Sequence, residues 1–412
     1  MCSKQPASFL PACRMLKRVA TYLDSNAGAP LQPCVVDALL PFLSESDRTL
    51  IPNPSSIHSF GRNARRCLST ARQQIAGSLG PKIDPEQVIF TSGGTESNQL
   101  AVQGFLGTFL EAGVRPHWIT TPVEHDSVLQ IVSWFQKRGG RVSFLPVDFN
   151  GAPVVSALES LWNEQTKLVS VIWANNETGV VSDVEALSQE VVRLGGVLHL
   201  DAAQAWGKLP IDLSRLGADM VSFSGHKIGG LAGSGALWVK PGLKLDSLIA
   251  GKQEKGRRGG TENLLGIISM GAAASTLDLA AVESWASSLE PLRDRLQNAI
   301  CERIPRVIVH GASGRRVANT LNLSFEGVAS DGLVMALDLS GYAVSSGAAC
   351  ASGAMEPSHV LLAMGRSPGE AIGAIRISLP REVNWPVLSD FVDELEKIVN
   401  RIRVPSGHPE VL

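Results

Sequence analysis

The sequence shows little charge imbalance, few aromatic residues and no long apolar run. Its 412 residues carry a net charge of −2, and only 5% of them are Phe, Trp or Tyr. Nucleic-acid binding needs a clustered basic face, and no basic run with interleaved aromatics occurs here. No apolar run approaches the roughly 20 residues that a membrane-spanning helix requires. We therefore expect neither a nucleic-acid partner nor a membrane span.

Cysteine is also scarce, and its spacing excludes several classes of site. None of the six cysteines forms a CxxC pair, so neither a zinc site nor a redox dithiol is predicted. A secreted disulfide framework would show denser cysteine usage, which favours a reducing compartment. The first 23 residues carry basic but no acidic side chains. An organelle presequence and a later start at Met15 both remain open, and we expect a cytoplasmic protein.

Between about residues 85 and 240, short apolar runs alternate with helical stretches, and this pattern predicts an α/β fold. Seven such runs lie at residues 88–90, 118–120, 142–145, 168–173, 197–200, 220–223 and 236–239. Continuous apolar runs suit strands buried on both faces, and the alternation implies a mostly parallel sheet. We predict a large domain at 30–280 with this seven-stranded sheet. Residues 1–29 and 281–412 would form a smaller α+β domain, with strands at 320–325 and 374–379.

Ligands in open α/β sheets collect beyond the carboxyl ends of the strands, and polar residues follow the predicted strands at those places. Gly94 and Thr95 follow the first strand, where a glycine turn entering a helix can hold a phosphate on its N–H groups. A glycine turn before a helix is, however, more often only a turn. His125 follows another strand and could stack on a ring and move protons, although a lone histidine is more often structural.

Two later strand ends carry an acid and a lysine. Asp201, with Gln204 one helical turn later, could keep a pyridine nitrogen protonated, but a helix N-cap is an equally common role. Lys227 in Ser224-Gly225-His226-Lys227 suits a Schiff-base lysine, since small residues surround it; an isolated lysine would more often be a surface residue.

Cys350 differs from the other cysteines because its neighbours are small. The segment 344–354 contains no bulky side chain beyond Val344, so it cannot anchor itself in a core. It is typical of a loop that presents one thiol, and a thiolate that reacts needs such exposure. A buried structural cysteine is the alternative, which the poor packing of its neighbours disfavours.

These motifs together resemble the class V, fold-type I pyridoxal-phosphate enzymes, and within them the NifS/IscS-like cysteine desulfurases. The similarity runs from Tyr22 to about Val399. Its markers lie at residues 53–58, 91–97, 124–125, 175–179, 199–204, 224–227, 258–263, 345–350 and 376–378.

The resemblance implies a role for each matching residue. Lys227 would bind pyridoxal 5'-phosphate covalently and later move the substrate α-proton, with His125 stacked on the ring. Asp201 would pair with the pyridine nitrogen and Gln204 with the phenolic oxygen. The phosphate ligands would be Gly94, Thr95, Ser224 and His226, with Thr261 reaching the phosphate of the neighbouring subunit in a homodimer. Asn176 and Arg376 would bind the substrate carboxylate, for which a planar guanidinium is well matched.

The implied reaction converts L-cysteine to L-alanine and leaves a persulfide on Cys350 for a sulfur acceptor or iron–sulfur scaffold protein. No resident metal is expected, although Cys350 could contact a transferred iron–sulfur cluster. A selenocysteine lyase or an aminotransferase of the same class is the enzymatic alternative, and a non-catalytic binding paralogue is the other. An aminotransferase has no need of the thiol, and a selenocysteine lyase tolerates its loss.

Overall fold

A computed structural model of the chain describes residues 21–43, 51–346 and 356–403. Its strands are β1 (Thr21–Tyr22), β2 (Val88–Thr91), β3 (His117–Thr120), β4 (Arg141–Phe144), β5 (Thr166–Ile172), β6 (Val197–Asp201), β7 (Met220–Ser224), β8 (Gly235–Val239), β9 (Val307–Val309), β10 (Thr320–Phe325), β11 (Tyr342–Ala343), β12 (Ser345–Ser346) and β13 (Ala374–Ser378).

The α-helices within the same residues are α1 (Pro33–Leu43), α2 (Ser59–Ser78), α3 (Gly94–Glu111), α4 (Asp126–Gln136), α5 (Leu158–Leu161), α6 (Val184–Arg193), α7 (Leu264–Ala274), α8 (Leu279–Arg303), α9 (Ser330–Leu339), α10 (His359–Ala363), α11 (Pro368–Ile372) and α12 (Trp385–Ile402). Short 3₁₀ turns occur as well, and one of them, Gly225–Lys227, directly follows β7.

The largest sheet has seven strands in the order β2-β8-β7-β6-β5-β3-β4. Strand β8 runs antiparallel to both of its neighbours, and all other pairs are parallel. Every residue of β2, β3, β7 and β8 is buried, as expected of strands covered by helices on both faces. The prediction of a mostly parallel seven-stranded sheet is confirmed, with a strand at each of the seven predicted positions.

The C-terminal half contains a separate antiparallel sheet of four strands in the order β12-β13-β10-β9. Leu289, Leu296 and Ile300 of α8 pack with Leu388 and Leu395 of α12 in one buried cluster against this sheet. The periodic leucines and isoleucines predicted these two helices because residues three and four apart share one helix face.

The N-terminal segment joins this second layer rather than the large sheet. Strand β1 pairs in parallel with β11, and Leu23 lies in the same apolar cluster as α8 and α12. The domain limits themselves, 30–280 against 1–29 and 281–412, stay a prediction.

No single helix in the described parts of the chain is both long and apolar enough to cross a bilayer. Helices α7 and α8 reach that length and apolar composition only when they are counted together, and the angle between them is 74°.

Candidate active site

The start of α3 forms a cradle at the carboxyl end of β2. Gly94 opens the helix, and Thr95 is exposed in its first turn. A Cβ atom on Gly94 would lie only 3.5 Å from the Ser224 Cβ, so the glycine turn and the end of β7 face each other closely. The N–H groups of a helix start and the Thr95 hydroxyl suit an anion.

Ser224 and His226 complete this cradle from the other side. The Ser224 hydroxyl and His226 Nδ1 are 3.0 Å apart. Burial first, and then the positive charge of Lys227, lower the pKa of His226 to about 4. The imidazole is therefore neutral at physiological pH and has a nitrogen available for hydrogen bonding. Two pairs of residues that are far apart in the sequence therefore converge on one place: Gly94 with Thr95, and Ser224 with His226.

Lys227 ends the short 3₁₀ turn after β7. Its Nζ donates to the backbone oxygens of Asn26 at 2.6 Å and Ala27 at 3.0 Å. Burial, followed by the charge of Arg376, lowers the pKa of Lys227 from 10.5 to about 8. A lysine with a lowered pKa supplies a substantial fraction of neutral amine near neutral pH, which nucleophilic attack on an aldehyde requires.

Asp201 is buried at the carboxyl end of β6 and has two distinct partners. One carboxylate oxygen accepts from the Ala203 N–H at 2.9 Å, and the other accepts from Asn98 Nδ2 at 2.7 Å. The first bond closes a turn after β6; no helix begins at residues 202–219, so the helix N-cap that the sequence left open is not formed. Because the Asn98 bond holds the second oxygen in place, the carboxylate is oriented by α3 as well as by its own strand.

His125 precedes α4 and belongs to the same polar network. Its Nδ1 accepts from the Ser127 N–H at 3.0 Å, so the ring acts as an N-cap. Asn98 Nδ2 also donates to the Ser127 hydroxyl at 2.9 Å. The ring is exposed, which leaves a face available for stacking.

Arg376 lies on β13 and brings the second sheet to the site. Its guanidinium donates to Asp24 Oδ1 at 2.7 Å and to the Asn176 backbone oxygen at 3.0 Å. The Nε atom is buried and has no partner among the described residues. A guanidinium fixed in this way is a planar donor of the kind that a carboxylate binds bidentately.

Gln204 donates through Nε2 to the Asn26 backbone oxygen at 2.9 Å. That oxygen also accepts from Lys227 Nζ, so Gln204 and Lys227 share one hydrogen-bond acceptor. Thr261 is exposed and lines a small cavity with Ser92 and Arg258. The Cys350 loop lies outside the described residues, and the three described cysteines, Cys34, Cys67 and Cys301, have no disulfide partner there.

Asn26 and Asn98 are the residues that the sequence reasoning missed. Asn26 is buried, accepts from Lys227 and donates through Nδ2 to Thr320 at 2.9 Å. Asn98 fixes Asp201 from α3. Asn26 lies four residues after Tyr22, where the family similarity begins, and Asn98 follows the motif 91–97, so proximity to these positions was the available signal.

The residues at this site suit pyridoxal phosphate. They offer a helix start and two side chains for a phosphate, an oriented carboxylate for a pyridinium nitrogen, and a lysine whose pKa is lowered to about 8 for the aldehyde. Asn98 Oδ1, beside Asp201, is buried and has no partner among the described residues, so one hydrogen-bond acceptor stays unused at the site. Within the same residues no group of three or more His, Cys, Asp or Glu could hold a metal ion.

The fold and this donor set together define an α/β enzyme whose lysine and carboxylate suit a pyridoxal-type cofactor. Comparison with known proteins narrows the class. The sequence profile of the aminotransferase class-V family matches residues 21–384. A cysteine desulfurase of Gluconacetobacter diazotrophicus is 40% identical over 386 residues, which are 93% of this chain and 94% of that protein. The cysteine desulfurase IscS of Dictyoglomus turgidum is 38% identical, covering 94% and 97%.

Solved structures agree with the sequence matches. A NifS-like protein superposes with a TM-score of 0.84 at 31% identity, covering 93% of this chain and 100% of that one. A NifS-like protein from Rickettsia africae gives 0.82 at 30% identity, covering 92% and 99%. The chain belongs to the class-V aminotransferase family, among its NifS/IscS-like cysteine desulfurases.

Proposed function

We propose that the chain uses pyridoxal phosphate to convert L-cysteine to L-alanine and leaves the sulfur as a persulfide on Cys350. The convergence of Lys227, Asp201 and the α3 start at one edge of the sheet carries this proposal. Relatives named cysteine desulfurases, matched over nearly their whole length, support the substrate.

Each residue of the site then has a definite task. Gly94, Thr95, Ser224 and His226 hold the phosphate, and Asp201 holds the proton on the pyridine nitrogen. When bound, pyridoxal phosphate supplies an electron sink for a carbanion at the substrate Cα. Lys227 Nζ takes the α-proton, for which a pKa of about 8 suits an acid–base group working near neutral pH.

The substrate is oriented by its carboxylate. Arg376 supplies the guanidinium, which Asp24 and the Asn176 backbone oxygen hold in place. Holding the carboxylate fixes the Cα–H bond relative to Lys227, and such orientation supplies a large part of the rate of a bound reaction.

The sulfur step needs the thiolate of Cys350. It attacks the substrate sulfur, and the carbon–sulfur electron pair stays on the substrate carbon, which takes up a proton and becomes the methyl group of alanine. One thiol and L-cysteine give one persulfide and L-alanine, so atoms and electrons balance. An acceptor protein with a thiol, such as an iron–sulfur scaffold, would then take the sulfur.

We also propose a homodimer in which Thr261 completes the phosphate site of the neighbouring subunit. Thr261 is exposed and lines a cavity with Ser92 and Arg258. Ile57 and Phe60, at the start of α2, are 88% and 60% exposed. Large apolar side chains exposed side by side are typical of an interface.

Product analysis tests the proposal. The purified protein is incubated with L-cysteine, and free alanine and protein-bound sulfur are both measured. Alanine with an equal amount of persulfide is the expected result. If the amino group passes to a supplied keto acid and no persulfide forms, the chain is an aminotransferase. If L-cysteine gives no product but selenocysteine, supplied in its place, is turned over, the chain is a selenocysteine lyase.

A further inference from the structure

A second lysine, Lys208, is buried beside the candidate active site and has no task in the mechanism above. It is only 5% exposed, and no carboxylate pairs with it among the described residues. Burial, the charge of Lys227 and the charge of Arg376 lower its pKa well below 10.5. Lysine is almost never fully buried unless it is paired, because removing its charge from water is unfavourable. A buried lysine at this position is therefore expected to have a function.

Lys208 makes its hydrogen bonds to two amide oxygens of site residues. Its Nζ donates to Asn26 Oδ1 at 2.6 Å and also to Gln204 Oε1. Asn26 Oδ1 has a second donor in Asn319 at 3.2 Å, but Lys208 is the one donor to Gln204 Oε1 in the described part of the chain.

These bonds fix which way the Gln204 amide faces. With Oε1 held by Lys208, Nε2 must point to the opposite side, where it donates to the Asn26 backbone oxygen. The reverse orientation would set Oε1 against that carbonyl oxygen, and two acceptors in contact are unfavourable. The same Asn26 oxygen accepts from Lys227, so Lys208 is linked to the reactive amine through both Gln204 and Asn26.

We propose that Lys208 is a positioning residue that locks the Gln204 amide with its N–H groups toward the cofactor. This inference rests on the proposed function, since it assumes that pyridoxal phosphate binds beside Gln204. Lys208 contacts neither substrate nor cofactor in this account; it acts through Gln204.

A double-mutant cycle on cofactor affinity tests this role. The dissociation constant of pyridoxal phosphate is measured on cofactor-free protein for the unchanged chain, Lys208→Met, Gln204→Leu and the double variant. Losing one oriented hydrogen bond corresponds to about tenfold in affinity, so Lys208→Met should weaken binding about tenfold. In the Gln204→Leu background the same change should cost less than about twofold, because Lys208 then has no amide to orient.

Two further variants keep the test decisive. Lys208→Gln retains an N–H donor and should recover part of the affinity, and it serves as the single variant if Lys208→Met does not fold. Lys397→Met is the control, since Lys397 is exposed and pairs with Glu394 on the surface of α12. It should bind the cofactor as the unchanged protein does.

The outcomes separate this inference from the proposed function. An equal loss of affinity from Lys208→Met in both backgrounds would overturn the positioning role and indicate general destabilisation. No loss in either background would overturn it as well. If the unchanged protein takes up no pyridoxal phosphate, the proposed function fails before Lys208 is tested.

Discussion

Arg376 on β13 and Asp24 in the segment after β1 form an ion pair with Nη2 and Oδ1 2.7 Å apart. Both side chains are largely buried, and Arg376 also donates to the Asn176 backbone oxygen. The pair therefore joins the N-terminal segment and the second sheet to the loop after β5. It also sets the guanidinium in one orientation before substrate arrives.

Arg376→Lys should raise the KM for L-cysteine with a smaller effect on kcat. An ammonium cannot bind a carboxylate bidentately, and the loss of a charge-assisted pair corresponds to about 1.5–3 kcal/mol, or roughly 10- to 100-fold. Steady-state kinetics measure both constants. Arg303→Lys, which changes an exposed ion pair between α8 and α12, is the matched control. An unchanged KM in Arg376→Lys would remove Arg376 from the substrate site.

Covalent uptake of pyridoxal phosphate by the cofactor-free protein should accelerate with pH. The pKa of Lys227 is about 8, so its reactive neutral form grows about tenfold between pH 7 and pH 9. The rise of visible absorbance after mixing gives the rate. Lys227→Ala should change or abolish this absorbance, because it has no amine to bond the aldehyde covalently. A rate that is flat across this pH range would show that the Lys227 amine does not limit uptake.

Strands such as β2, β5 and β7 were predictable because a strand buried on both faces needs a continuous apolar run, whereas the edge strand β4 is only partly buried. The polar residues at the strand ends were equally visible. The partners Asn26 and Asn98 were not, since they meet Lys227 and Asp201 across 201 and 103 residues of chain. Such contacts depend on sheet order, which local pattern does not specify. The Cys350 role and the cytoplasmic location stay predictions.

Gly235→Ala should lower the melting temperature and weaken cofactor binding. A Cβ at Gly235 would lie 2.5 Å from the Gly93 backbone, so the turn before α3 would have to move. Overpacking of this kind typically costs about 1–3 kcal/mol. Gly77→Ala in α2 is the control, because nothing lies within 4 Å of its added Cβ. It should keep or raise the melting temperature. Equal melting temperatures for the two variants would contradict the close approach.

Mixing Thr261→Ala and Lys227→Ala proteins tests the shared site. Each heterodimer would contain one site with both lesions and one site with neither. Subunit exchange should therefore restore alanine formation above the sum of the two separate variants. If each site lay within one chain, both heterodimer sites would stay impaired and no gain would appear. Full activity from a monomer in solution would also contradict the dimer.

The position of the transferred sulfur tests the whole account most directly. After incubation with L-cysteine, peptide mass spectrometry locates the added sulfur atom, and alanine is counted in the same sample. We predict sulfur on Cys350, and we predict that Cys350→Ser binds pyridoxal phosphate normally while alanine falls by orders of magnitude, since a serine hydroxyl is a far weaker nucleophile. Cys301→Ser, which changes an exposed thiol on α8, should turn over like the unchanged protein. Sulfur found on Cys34, Cys67 or Cys301, or near-normal turnover by Cys350→Ser, would contradict the account.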